Sequence, residues 1–119
     1  MTIKKISPLA PDTFPKIPDI AGVWMATSAT GIKYKDRDDL LLMVFSPDTD
    51  FAGLFTKSAT AAVSVHITKK VIANNQGRCL LVNAGNANAF TGAKGDSSAR
   101  SVLSMLSTIS GLPLDTMMM

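Results

Sequence analysis

The side chains with the most capacity for chemistry crowd into one stretch of the chain. Asn83-Ala84-Gly85-Asn86-Ala87-Asn88-Ala89 runs directly into Phe90-Thr91-Gly92-Ala93-Lys94-Gly95-Asp96, so carboxamides, a hydroxyl and several glycines share a segment with neither helical nor strand periodicity. A glycine-rich connection from a strand into a helix presents backbone N–H groups where an anion or a developing oxyanion can sit. Asn83, Gly85, Asn86, Asn88, Thr91 and Gly92 are therefore the candidates for lining a site or shaping its turn. The spacing is neither that of a phosphate loop nor that of the dinucleotide GxGxxG fingerprint. The competing explanation is structural: small residues let a helix pack close to a sheet, while Asn side chains satisfy the backbone of a tight turn. The residues by themselves favour that second explanation.

Elsewhere reactive groups are sparse. One cysteine and one histidine, Cys79 and His66, leave only carboxylates to complete a metal site, and none clusters with His66 in the sequence, so no metal or other cofactor is expected. Cys79 sits in the apolar run Cys79-Leu80-Leu81-Val82, where burial would raise its pKa and blunt it as a nucleophile. His66 reads as a strand surface or packed residue. Asp36, Asp38 and Asp39 alternate with Lys33, Lys35 and Arg37, a mixture of charge that reads as a solvated turn rather than as an acid–base pair.

These residues need a scaffold. Residues 1–20 form an extended, proline-rich lead-in, because Pro8, Pro11, Pro15 and Pro18 each lack a backbone N–H and restrain the residue before them. Ala21 to Thr30 fits neither period, and Gly31-Ile32-Lys33 with Tyr34 to Asp39 reads as a turn. The unbroken apolar run Leu40 to Phe45, stopped by Ser46-Pro47-Asp48, predicts a strand covered on both faces. Phe51 to Thr56 and Ala61 to Thr68 predict two more strands, the second alternating through Val63, Ser64, Val65, His66 and Ile67. Asn74-Asn75-Gln76-Gly77 is a turn opening onto a strand from Arg78 to Val82. Ala99, Val102, Leu103, Leu106 and Ile109 recur at helical spacing, which predicts a helix over Ser97 to Ser110, capped by Asp96 or Ser97 and stopped by Gly111 and Pro113. A further strand is expected to begin near Leu114. The whole, 1–119, reads as a single α/β domain.

Composition agrees with a packed domain: 46% of the 119 residues are hydrophobic and 18% charged. The net charge of +3 comes from scattered lysines and arginines, which does not point to nucleic acid. No segment has the length and apolarity of a signal peptide or a membrane span, and a lone cysteine suits a reducing compartment, so a cytoplasmic setting is expected. The apolar Met117-Met118-Met119 predicts exposed hydrophobic surface at the end of the chain, and hence association into oligomers.

Four stretches, taken in order, carry a resemblance to a known family. They are Gly31-Ile32-Lys33 with Asp39-Leu40, Ala52-Gly53-Leu54-Phe55-Thr56 with Ala61-Ala62-Val63, Leu81 to Ala89, and Phe90 to Asp96. Together they resemble the N-terminal part of the α chain of the ornithine acetyltransferase/N-acetylglutamate synthase family, over roughly Phe14 to Leu114. Phe90 stands where that family usually has a cysteine, and Ala84 where serine is common. The resemblance implies an α/β fold with a mixed sheet packed against helices, similar to the layered α-β-β-α arrangement of self-cleaving aminopeptidases. It also implies an enzyme of arginine biosynthesis that cuts itself before a threonine and moves an acetyl group from N-acetylornithine to glutamate through a threonine acyl-enzyme. Its partners would be small amino-acid substrates and a C-terminal half, with neither nucleic acid nor membrane. The oxyanion Thr-Gly and the nucleophilic Thr would lie beyond Met119, so no catalytic residue is expected within these 119 and the chain alone is expected to be inactive. Thr91-Gly92 matches a different motif and is not assigned the oxyanion role. Two other functions stay open on the residues: a non-catalytic structural or oligomerisation module, and part of an N-terminal-nucleophile peptidase or amidase.

Overall fold

A computed structural model describes residues 7–33 and 35–119; residues 1–6 of the expected lead-in and Tyr34 of the expected turn lie outside it. Among the described residues, four strands and two helices follow one another as β1 (Val23–Ser28), β2 (Leu40–Phe45), α1 (Val63–Ala73), β3 (Cys79–Asn83), α2 (Gly92–Ser110) and β4 (Met117–Met118), with a 3-10 turn at Leu114–Thr116 before β4. The strands lie side by side in sequence order, β1–β2 and β2–β3 antiparallel and β3–β4 parallel, which makes a mixed sheet. The parallel pair needs a long crossover, and α2 supplies it.

Register assigns each apolar side chain to a face. Leu42 lies opposite Leu81, Val44 opposite Cys79, and Cys79 opposite Met117, so these side chains share one face of the sheet. There they pack with Leu103 and Leu106 of α2 and Ile67 of α1, and Cys79 and Met117 are fully buried. On the other face Phe45 and Met118 join Val71 and Ile72 of α1 with Phe51, whose ring meets Phe45 edge-on at a centroid distance of 4.9 Å.

Several sequence-based expectations need correction. Ala61 to Thr68 is not a strand. The alternation of Val63, Val65 and Ile67 coincides over a short window with the four-residue spacing Val63, Ile67, Val71, and the longer pattern prevails because it continues to Val71, which is buried. His66 is accordingly an exposed helical residue rather than a strand residue. Phe51 to Thr56 forms no regular element and instead lays Phe51 against the core. β2 is half-buried along most of its length, with only Phe45 fully covered, so it is not sheathed on both faces among the described residues. α2 begins at Gly92 with Thr91 as its cap, a turn and a half before the expected Asp96 or Ser97; Asp96 instead sits inside the helix, bound to Arg100 at 2.7 Å. Of its apolar residues Ala99, Leu103 and Leu106 face the sheet, whereas Ile109 is exposed. Met117 and Met118 are buried by the chain's own helices, so the methionines do not form the exposed surface expected of them.

Other expectations hold. β2, the turn with Asn75 at φ 49°, β3 and the left-handed stop at Gly111, φ 71°, all stand where the residues place them. The described part of the lead-in, residues 7–20, contains no helix or strand and leaves Leu9 and Phe14 exposed.

Leu103 is the helical residue at the centre of this core. Leu103→Ala is expected to lower unfolding stability by about 2–5 kcal/mol, while Ile109→Ala, on the exposed side of the same helix, shifts it by less than about 0.5 kcal/mol. Urea titrations of both variants check this.

Candidate functional site

β3 ends at Asn83, and the chain then turns through residues 84–91 before entering α2. Gly85, at φ 98°, makes the turn and lies so close to the Lys33 side chain that a β-carbon there would stand 2.8 Å from that of Lys33. Gly92, at φ 58°, opens the helix with no atom crowding it. The side chains of Asn83, Asn88 and Thr91 are held by the loop and the first turn of α2. Asn83 Nδ2 donates to the Asn86 carbonyl at 2.9 Å, and Asn88 Nδ2 donates to the Gly95 carbonyl at 2.9 Å. Thr91 Oγ1 donates to Asn88 Oδ1, and the Asn88 carbonyl accepts from Val63 N at 3.3 Å. Asn88 thus ties the N-terminal ends of both helices to the loop. Gly95 is buried against this knot: a β-carbon there would overlap the Thr91 hydroxyl and the Asn88 side-chain oxygen and stand 2.6 Å from Thr91 Cβ. The small residues do what the structural explanation requires, bringing helix and loop together.

The same loop forms one wall of a cleft of about 560 Å³. Asn83, Asn86, Asn88 and Thr91 line it, facing Leu81 and Met119, and Lys94 stands at the first turn of α2. Gly85 and Gly92 are outside the lining and shape the loop from behind. Because β3 and β4 are parallel, Asn83 and Met119 leave the sheet at the same edge, into this cleft.

Sequence reasoning missed the residue that secures the opposite side of the loop. Asp39, expected in a solvated turn, is buried. Its Oδ1 accepts from the Thr30 hydroxyl and the Thr30 N–H, both at 2.7 Å, and its Oδ2 accepts from the Ile32 N–H at 2.7 Å. Its backbone carbonyl accepts from Ala84 N at 2.8 Å. Asp39 therefore connects the 30–32 turn, which places Ile32 in the cleft, with the start of the Asn-rich loop. The hydrogen bonds from the Thr30 side chain, then from the Thr30 and Ile32 backbone, hold its carboxyl below the usual range despite opposing desolvation. The available signal was its position, immediately before an apolar strand and seven residues after Ile32 in a stretch rich in turn residues.

Cys79 and His66 do not form a pair at this site. Cys79 is fully buried in the core and burial pushes its thiol up, whereas His66 is exposed on α1 and lines a separate cleft between the helices. Among the described residues no group of three or more His, Cys, Asp or Glu side chains could hold a metal ion, and no helix is long and apolar enough to cross a membrane.

This fold is shared with solved structures of two other proteins. It superposes on the arginine biosynthesis bifunctional protein of Bacillus halodurans with a TM-score of 0.75 at 25% identity, covering 82% of this chain and 51% of that one. It matches the ornithine acetyltransferase of Mycobacterium tuberculosis, solved with ornithine, with a TM-score of 0.72 at 29% identity, covering 82% and 54%. In sequence, residues 24–119 match the ArgJ family, and the chain belongs to that family. The arginine biosynthesis bifunctional protein ArgJ of Mesorhizobium japonicum is 54% identical over 90 residues, 76% of this chain and 22% of the relative. That of Ruegeria pomeroyi is 42% identical over 114 residues, 94% and 28%. The chain spans about a quarter of the length of these relatives.

Two predictions follow from the polar ties. Gly95→Ala is expected to cost about 1–3 kcal/mol by forcing Asn88 and Thr91 apart, seen as a lower denaturation midpoint. Since the Asp39 carboxyl is depressed in the fold, its contribution is complete above the unfolded carboxylate value of about 3.9 and is lost as pH falls through the folded value. The acid-side decline of Tm is therefore expected to flatten in Asp39→Asn, and an unchanged slope would count against the assignment.

Proposed function

We propose that this chain supplies the N-terminal part of an acetyltransferase of arginine biosynthesis, which transfers acetyl from N-acetylornithine to glutamate. Membership of the ArgJ family over residues 24–119 is the observation that carries the reading. The cleft supports it: loop amides and the end of β4 converge there, next to apolar Leu81, in a space with ample room for a small molecule. The chemistry is acyl transfer. A threonine beyond Met119, freed by self-cleavage, uses its own N-terminal amine as general base; its hydroxyl attacks the N-acetyl carbonyl and ornithine leaves as the amine. The glutamate amine then attacks the threonine ester, giving N-acetylglutamate and restoring the hydroxyl. Backbone donors of a Thr-Gly pair following β4 stabilise the oxyanion.

Within the 119 residues the contribution is a scaffold. Cys79 is inaccessible and protonated, and the candidate side chains Asn83, Asn88 and Thr91 are engaged in holding the loop that walls the cleft. Gly85, Asn86 and Gly92 give that wall its shape. The chain works with a C-terminal half in the cytoplasm, requiring no cofactor; association into oligomers, with the methionines buried, rests on other exposed apolar side chains such as Trp24, Phe90 and Ile109.

The test is acetyl transfer from N-acetylornithine to glutamate by the chain alone and by the chain mixed with a separately produced C-terminal part. Turnover is expected only in the mixture. Turnover by the chain alone would place the nucleophile among these residues, and silence in both would leave a structural role.

A further inference from the structure

β4 is bonded to β3 through the pairs Cys79–Met117 and Leu80–Met118, and Met119 lies one residue past that ladder. A hydroxyl from α1 takes over there. Thr68 Oγ1 accepts from the Met119 N–H at 3.1 Å and donates to the Met119 carbonyl oxygen at 2.8 Å, the two bonds that a neighbouring strand would supply. Thr68 is half-buried and 51 residues away in sequence, and Met119 lines the cleft opposite the Asn-rich loop. Both backbone groups of Met119, which shares the cleft with Asn88 and Thr91, are thus bound to one side chain.

We infer that Thr68 is a positioning residue: by clamping both backbone groups of Met119 it aims the segment that follows β4 into the cleft. The inference rests on the reading above, in which the oxyanion donors follow Met119. The donor geometry must be held to a fraction of an ångström, and a displacement of about 1 Å costs roughly 100-fold in rate. A valine at this position keeps the shape of threonine without the hydroxyl, and serine keeps the hydroxyl without the methyl.

The experiment compares wild type, T68V and T68S in the chain reconstituted with its C-terminal part. T68V is expected to lose roughly 10- to 100-fold in kcat with KM for N-acetylornithine nearly unchanged, the pattern of a contact needed only in the transition state, and T68S to keep most of the rate. Wild-type kcat in T68V, or equal losses in T68V and T68S, would overturn the inference. Amide hydrogen exchange by NMR on the 119-residue chain provides a readout independent of turnover. A Met119 N–H protected in wild type and T68S supports the clamp, and a Met119 N–H exchanging freely in folded wild type overturns it. Reconstituted wild type without activity would count against the acetyltransferase reading, while the exchange measurement would still decide the clamp.

Discussion

Everything positioned in this molecule depends on the parallel pairing of β3 with β4. Cys79 and Met117 lie opposite one another and are the most deeply buried side chains, sealed by Leu103 of α2 and bordered by Ile67 of α1. Parallel strands cannot be joined by a tight turn, so the pairing requires a crossover, and α2 with its flanking turns fills that requirement. It also brings the ends of both strands to the same edge of the sheet. The convergence of Asn83 with Met119 is a consequence of strand direction, and the cleft between them follows from it.

Apolar packing alone would leave that edge loosely defined, and polar groups with several partners each give it shape. Asn88 uses its carbonyl for the start of α1, its amide for Gly95 and its side-chain oxygen for Thr91. Asp39 does the same on the other side, with its carboxylate on Thr30 and Ile32 and its carbonyl on Ala84. No buried side-chain polar atom among the described residues lacks a partner, as expected where each unmet group would cost more than a made bond returns. These ties explain why the Asn-rich segment combines carboxamides with glycine: the amides replace backbone partners, and Gly95 leaves room for the two side chains that meet there.

The polar face of the cleft and its apolar face therefore have separate origins. Leu81 belongs to the core ladder and extends into the cleft, while Asn83, two residues on, projects from the same side of the strand as the sheet ends. A small-molecule cleft with an apolar wall and a few converging polar groups is the usual form of a binding site.

By itself the sequence determined the elements that carry an unambiguous period or a strong stop. β2 was legible in Leu40 to Phe45, β3 in the apolar run after Asn74 to Gly77, and the body of α2 in Ala99, Leu103 and Leu106 with its end at Gly111. The Asn83 to Gly92 segment was legible as the unusual one because no periodic element tolerates so many amides and glycines. Tertiary structure decided what local pattern leaves degenerate. Val63 and Ile67 fit a strand's alternation through Val65 and a helix's four-residue spacing alike, and only the contacts of Val71 and Ile67 with the core select the helix. The start of α2 was hidden because Gly92 and Gly95 have weak helical preference, and Gly95 belongs in the helix because a side chain there would collide with Asn88 and Thr91. Asp39 differs from Asp36 and Asp38 in the sequence only by standing immediately before the apolar strand, a position that does not by itself dictate burial. Its burial arises because the turn at Thr30 to Ile32 folds over it and donates three hydrogen bonds, partners that lie seven to nine residues away and meet it only once β1 and β2 have paired.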